Sequence, residues 1–510
     1  MMGIKERTFA PLRSVTLEDL VPPDHFYRHV EQTLDLRFVR SLVGGAYAEG
    51  GRPSIDPVVF FKLQLILFFE GLRSERQLMQ VVADRLSLRW YLGYDLSEPL
   101  PDYSSLSRIR ERYGLDVFRR FFEAIVEQCI SAGLVWGKEL YIDATKIAAN
   151  AALASLQPRF AVEAHLTRLF ATPADDGRAG NGSDSGQGGD EPVRLPVALT
   201  EEAQAELADS ATQRHDWIGQ AGRPERTVIR GAYRRTADFR VSTTDSDATP
   251  MPYGERGTRL GYQDHYLVDG GRARVILTAL VTPAEVQENQ PALDLLWRAR
   301  FRWKLQPRQV TGDTKYGTMP NIVAIERQQM RAYFPLSEVG HRAGKFGDEA
   351  FGYDAAADTY SCPGGQTLRF LSHCKSTHRR IYAAPAGVCR ACALRDRCTT
   401  AQRGRRVGRH VDEEYRERVR AYHDTEPYAK AMRKRKVWVE PLFAEAKDWH
   451  GLRRFRLRGL EKVNGEALLI ATGQNLKRLL SWRGWGRRPF PSGAAGAGLP
   501  FLRPTPAVTP

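Results

Sequence analysis

Apolar positions recur at helical spacing from Ile55 to Arg73 and again from Ser74 to Leu86, and Asp102-Tyr103-Ser104-Ser105 opens a third helix with capping residues, followed by arginines up to Arg112. The period then shortens. Lys138 to Thr145 is a β-rich run that carries an aspartate, Asp143, among apolar neighbours. Gly261 to Asp269 and Arg274 to Val281 alternate and are joined through Gly270-Gly271, the pattern of a hairpin. Pro291 to Lys304 reads as a helix. A strand from Gln309 runs into a glycine-bracketed turn at Asp313, and a helix from Asn321 to Met330, a strand Arg331 to Leu336 and a late helix Val437 to Lys447 follow. The order strand, hairpin, helix, strand, helix, strand, helix predicts a mixed rather than purely parallel sheet, preceded by an all-helical region.

Three acids fall where this order makes them informative. Asp143 sits mid-strand in an apolar setting, where a carboxylate is costly unless a cation or hydrogen bonds compensate it. Asp313 falls at the carboxyl edge of the sheet, where sites of open α/β folds collect. Glu440 lies on the late helix, where a seven-residue spacing puts Lys447 on its face, with Lys436 and Arg433 joining them if the helix starts early enough. Pro441 suits a first turn better than an interior, so a start near Glu440 is the alternative. Taken singly, Glu440 reads as a surface glutamate and Asp313 as a turn residue, with Glu445 and Glu466 as rival third acids. Their joint occurrence in fold order is what points to an RNase H-like metal nuclease.

Charge agrees with that chemistry. The chain of 510 residues carries a net charge of +15, and residues 401–490 hold 23 Lys and Arg against 11 Asp and Glu. A basic surplus around Glu440 suits a polyanionic substrate, its bland counterpart being a solvated face. The length implies several domains. The best membrane candidate, Pro57 to Phe69, is short and interrupted by Lys62, and the first residues lack a secretory signal, so a soluble cytoplasmic protein is expected.

Five of six cysteines cluster at Cys362, Cys374, Cys389, Cys392 and Cys398. Cys362, Cys389, Cys392 and Cys398 suit two knuckles around a structural zinc, Cys374 beside His373 being an alternative ligand and Cys129 a core residue. The helix beginning at Asp102 suits a major groove, with Ser104 and Arg108 near bases or phosphates, or else a polar surface. Segments 171–191 and 484–510 are Gly-rich and read as disordered. Between 155 and 256 lies an insertion with a helix at 201–221 and a basic stretch at 223–240. Asp245 and Asp247 stand in a Ser/Thr-rich stretch that is equally a turn.

The chain resembles bacterial insertion-sequence transposases of the DDE type. The resemblance covers roughly residues 15 to 482. It rests on the three acids, on Lys436, Glu440 and Lys447 at the spacing of the C-terminal signature, on Gly451 and the run Arg453-Arg454-Phe455-Arg456-Leu457-Arg458, and on the closing helix Glu466 to Leu480. Arg433 stands where a tyrosine is usual and Lys436 where an arginine is usual. The resemblance implies a helical DNA-binding domain (1–135), a catalytic core (136–345 and 411–483), a cysteine-rich zinc insertion (346–410) and a disordered tail. It implies two Mg2+ or Mn2+ ions about 4 Å apart, bridged by Asp143 and completed by Asp313 and Glu440. Lys315, Lys436, Lys447, Arg433 and the arginines 453, 454 and 458 would hold DNA. Expected partners are the element's inverted-repeat ends, target DNA and a second copy in a synaptic complex, at the bacterial nucleoid. A non-enzymatic DNA-binding descendant and a general endonuclease of the same fold are the alternatives.

Overall fold

The structure is a computed structural model that describes residues 15–47, 54–158, 240–254, 257–337, 344–385 and 387–486. Segment 171–191, helix 201–221, the stretch 223–239 and the tail from 487 lie outside the described residues.

The apolar run of Glu139–Ala148 forms β1, the middle strand of a six-stranded sheet. On one side β5 (Thr258–Asp269) runs antiparallel to it, with Asp143 opposite Tyr266. Twelve residues make β5 long enough for two partners: β4 (Thr249–Pro252) pairs with its start and β6 (Ile276–Pro283) with the remainder, through the expected Gly-Gly hairpin. On the other side β7 (Gln309–Thr311) and then β8 (Arg331–Tyr333) run parallel to β1. A small ribbon of β2 (Leu156–Pro158) and β3 (Arg240–Ser242) lies apart.

Edge strand β6 is shielded by side chains. Asn475 both accepts from Ile276 N and donates to Ile276 O at 2.8 Å, and Asn464 does the same for Val281 at 2.8 and 2.9 Å. Two asparagines thus complete a ladder that an unpaired edge would offer to another chain.

Helices α1 (Leu17–Leu20), α2 (Phe26–Thr33), α3 (Phe38–Val43), α4 (Pro57–Phe69), α5 (Glu75–Asp84), α6 (Leu86–Leu92) and α7 (Tyr103–Ser131) form the N-terminal region. Helix α7 kinks at Gly114, whose positive φ of 62° breaks the ladder, and the Glu461 carboxylate accepts the Leu115 N–H at 2.8 Å. Between the later sheet strands lie α8 (Ala292–Trp303), after β6, and α9 (Met319–Arg327), between β7 and β8. One hydrophobic core runs from Phe60, Phe61 and Phe121 in these helices to Ile142 and Leu277 in the sheet. The helical region and the sheet are therefore packed as one body, not as two separately cored units.

Residues 352–410 carry the cysteine turns on a sheet that the sequence pattern does not predict. They form a five-stranded antiparallel sheet: β9 (Gly352–Asp354), β10 (Thr359–Ser361), β11 (Thr367–Cys374), β12 (Arg379–Ala383) and β13 (Arg406–His410), with short α10 (Arg395–Cys398) between the last two. Helices α11 (Glu413–Tyr422), α12 (Glu426–Trp438), α13 (Glu440–Trp449) and α14 (Leu460–Trp482) close the chain. The expected continuous helix through Glu440 is a break instead: α12 ends at Trp438, Val439 intervenes and α13 begins with Glu440-Pro441, the alternative that proline allows.

Candidate active site

The face of β1 that carries odd-numbered residues lies under α12 and α13. Along it Glu139 accepts from Lys434 Nζ at 2.7 Å, Asp143 accepts from an Arg435 guanidinium nitrogen at 3.0 Å, and Thr145 accepts from Lys447 Nζ at 2.5 Å. The other Arg435 nitrogen stands 3.9 Å from the Glu440 carboxylate. Helical phase explains which cations face inward. Counting from buried Ala431, positions 434, 435 and 438 fall on the sheet side of α12, whereas Arg433 and Lys436 project to solvent.

Register supplies the second acid. Tyr141 lies beside Thr311 in the parallel pairing of β1 with β7, so the two residues that follow Thr311 bring Asp313 alongside Asp143. Gly312 lets the chain pass there: a Cβ would stand 2.8 Å from the Tyr316 ring and 3.1 Å from Ile142. Asp313 caps the following turn by accepting Lys315 N at 2.9 Å. Lys315 itself reaches not a free position but Glu288, at 2.6 Å.

Burial pushes the Asp143 carboxyl up to about 6. Arg435 and the Ala144 N–H oppose the rise, and the negative charges of Asp313 and Glu288 add to it. Asp313 and Glu288 thus stand near enough for their charge to act on Asp143, and one guanidinium lies between Asp143 and Glu440. This donor set fits a divalent cation: oxygen ligands, excess negative charge and a carboxylate kept from water. Among the described residues no group of three or more His, Cys, Asp or Glu forms a ready metal cage, and Arg435 holds the position of a counter-cation.

The rival acids are committed elsewhere. Burial would raise the Glu445 carboxyl, yet it lies well below its usual range because His450, Arg478 and Lys477 surround it. Glu466 accepts the backbone N–H groups of Arg456 and Leu457. Asp245 accepts from the Tyr262 hydroxyl at 2.6 Å and from Gly459 N, and Asp247 accepts Leu460 N at 2.7 Å, so both hold the start of α14. Lys447 is partly buried beside Asp264, and burial, with Arg453 nearby, lowers its pKa.

The basic loop after α13 is tied to the same strand. Phe455 N donates to Ala148 O at 2.9 Å, Arg454 reaches the Asn150 side chain at 2.7 Å and Arg458 the Asn150 carbonyl at 2.9 Å, while Arg453 pairs with Asp448. All three arginines remain exposed. Ser104 and Arg108 lie in the first turns of α7, linked by a 3.1 Å hydrogen bond, with Arg108 exposed.

In the cysteine-rich sheet, Cys362, Cys389, Cys392 and Cys398 line one cavity of about 30 Å³, a volume of the order of one water or ion. A Cβ at Gly364 would meet the sulfurs of Cys392 at 3.2 Å and Cys362 at 3.7 Å, and burial followed by Arg405 and the other three thiols governs the Cys398 pKa, with a net rise. Four thiols lining one cavity suit a soft, tetrahedral cation by their chemistry, although among the described residues they are not gathered into a ready metal-holding group. Cys374 stands apart, bonded to Ser376, and Cys129 is buried in the main core.

Sequence reasoning missed Arg435 and Glu288. The run Arg433-Lys434-Arg435-Lys436 was visible, but the break at Val439 separates its helical phase from that of Glu440. Nothing in the residues around Glu288 marks it.

No described helix is long and apolar enough to cross a membrane. No curated protein and no solved structure matches the chain significantly. Residues 15–112 match a family model described as a transposase domain (DUF772), and residues 361–480 match one described as a transposase DDE domain. The second span includes Cys362, Cys389, Cys392, Cys398 and Glu440, while Asp143 and Asp313 lie outside both. Over the helical region and over the segment that delivers Glu440, the chain is therefore similar to insertion-sequence transposases of the DDE type.

Proposed function

We propose that this chain cuts DNA at the inverted-repeat ends of an insertion sequence and joins the freed 3' ends to target DNA, with Asp143, Asp313 and Glu440 as its catalytic acids. One observation carries the reading: parallel register brings Asp313 beside buried Asp143, and Arg435 links that pair to Glu440. The strand order β6-β5-β1-β7-β8, a hairpin followed by two parallel strands, supports an RNase H-like core.

Asp143, Asp313 and Glu440 would hold divalent ions, Mg2+ or Mn2+. When bound, these supply Lewis-acid activation of a water or 3'-hydroxyl and stabilise the leaving oxygen. The chain's own cations do the positioning. Lys447 stands two residues along β1 from Asp143, held by Thr145, as a point charge for a scissile phosphate. Arg433 and Lys436 on the outer face of α12, and Arg453, Arg454 and Arg458 on the loop bound to β1, extend a basic track for the flanking backbone. Lys315, engaged by Glu288, would exchange that partner for phosphate. Ser104 and Arg108 offer a second contact for the element end, and a homodimer would hold two ends together. Cys362, Cys389, Cys392 and Cys398 are proposed to hold a structural zinc.

The test is strand cleavage and joining on a labelled duplex bearing the element's terminal repeat, with Mg2+ or Mn2+, comparing wild type with Asp143→Ala. End-specific nicking and strand transfer, lost in the variant while duplex binding survives, is expected. Specific binding with no cleavage by either protein would indicate a non-enzymatic binder, and cleavage without preference for ends or joining would indicate a general endonuclease.

A further inference from the structure

On the side of α12 next to the catalytic face lies a groove of about 1150 Å³, bounded by the β5–β6 turn, the segment before β1 and the end of α14. Three tryptophans line it. Trp136 and Trp482 are 52% and 55% exposed, unusual for large indoles in contact with water. Trp438 is half-buried and fixed by a 3.0 Å hydrogen bond from Nε1 to Gly271 O. The main chain at Trp136 is held too, because Asp269 accepts its backbone N–H at 3.0 Å and that of Gly137 at 2.7 Å.

The groove is basic as well as aromatic. Its described lining holds five cations, among them exposed Arg272 at the turn, against one acid, Glu445. Lys434 stands 4.7 Å from the Trp438 ring centre and 5.5 Å from that of Trp136, within cation–π range. Flat indole faces set among cations suit a ligand with alternating aromatic faces and negative charge, which is the description of a nucleic-acid strand whose bases are unpaired. Bases in an intact duplex are stacked on one another and offer no face. An apolar or acidic protein surface would match only half of the lining.

The groove also adjoins the acids. Lys434 borders it while its neighbour Arg435 faces Asp143, and four residues of β1, about 13 Å, separate Glu139 under Lys434 from Asp143. We propose that this groove binds unpaired nucleotides of DNA, with bases stacked on Trp136 and Trp482 and phosphates met by Arg272 and its neighbours. The choice of DNA rests on the transposase reading; the stacking does not.

The experiment uses the full chain without divalent metal, so that cleavage plays no part. Binding of a fluorescein-labelled oligothymidine of about 15 nucleotides is followed by anisotropy, beside a blunt duplex of equal length. Trp136→Ala with Trp482→Ala is expected to weaken oligothymidine binding roughly tenfold or more and the duplex far less. Arg272→Glu should weaken both. Trp449→Ala removes a 74% exposed tryptophan outside the groove and should change neither. Oligothymidine bound equally by wild type and the double variant would overturn the proposal. So would a double variant that loses self-association in sedimentation together with its DNA binding, since the groove would then be an interface between copies. A chain that passes this test yet never cuts its terminal repeat would sink the cleavage reading alone.

Discussion

The two large sheets of this chain are held in different ways. The six-stranded sheet is covered on both faces, and its strands carry fully buried Tyr141 and Tyr266 within the main core and Tyr262 in a smaller core beside it. The cysteine-rich sheet has a core of only Phe351, Tyr360, Leu368, Tyr382 and Val407, and Phe370 and Leu371 on its longest strand are half exposed. A well-buried sheet can tolerate a costly carboxylate such as Asp143. A thin sheet needs a staple, and the four thiols together with Asp358, which accepts from Tyr353 and Tyr382, are what this one offers.

The largest expected effect breaks the comparison at the thiols. One zinc per chain is expected by elemental analysis. Its removal by a chelator, or Cys389→Ser with Cys392→Ser, should unfold residues 352–410 alone, since structural zinc contributes on the order of 10 kcal/mol to such modules. Limited proteolysis would show cuts confined to that stretch while the main thermal transition persists. A metal-free chain whose cysteine-rich sheet stays protected would mean that its small core suffices.

Next in size is a pair of phenylalanines. Phe443 stacks on Tyr266 with ring centres 4.5 Å apart and is nearly buried. Phe443→Ala should destabilise the main transition by about 3–5 kcal/mol in denaturant. Phe370→Ala, on the thin sheet, should shift its own transition by only about 0.5 kcal/mol. Equal losses would erase the distinction between a packed and a stapled sheet.

How much of this was legible follows from the same contrast. The catalytic strands announce themselves because burial demands apolar runs, and Gly270-Gly271 marks the hairpin; even the separation of acids by fold order could be read. The thin sheet buries too little to impose a period: β11 places one buried residue, Leu368, among exposed ones, so no buried face marks Thr367 to Cys374 as a strand. The site was half legible. Asp143 and Asp313 follow from strand pattern, whereas Arg435 depends on where α12 breaks and Glu288 on a loop whose path only tertiary contacts set.

Asp143 makes the third test, through pH. Its raised value, about 6 against an ordinary 3.8, means that the folded chain keeps a proton which the unfolded chain releases. Stability from this group is therefore greatest below about pH 4, falls as pH rises to about 6 and stays low beyond, by at most about 3 kcal/mol. Asp143→Asn removes that penalty, so without metal its melting temperature should exceed that of wild type at pH 8 and match it more closely at pH 4. A difference that does not change with pH would deny the burial argument. Binding of Mn2+ should weaken as pH falls through about 6, because the proton and the metal compete for the same oxygens.

The smallest effect asks which sheet the DNA follows. Lys436 on the outer face of α12 and Arg369 on β11 are both exposed, so Ala at either should change stability by no more than about 0.5 kcal/mol. Their effects on duplex binding should differ. If the backbone runs along α12 and the loop bound to β1, Lys436→Ala removes one phosphate contact and lowers the slope of log affinity against log salt by about 1. Arg369→Ala should leave the slope unchanged, since the thin sheet would then carry Glu440 into position without touching the substrate. The reverse result would make the cysteine-rich sheet a DNA-binding surface, and its exposed Phe370 and Leu371 would have to be explained as part of that contact.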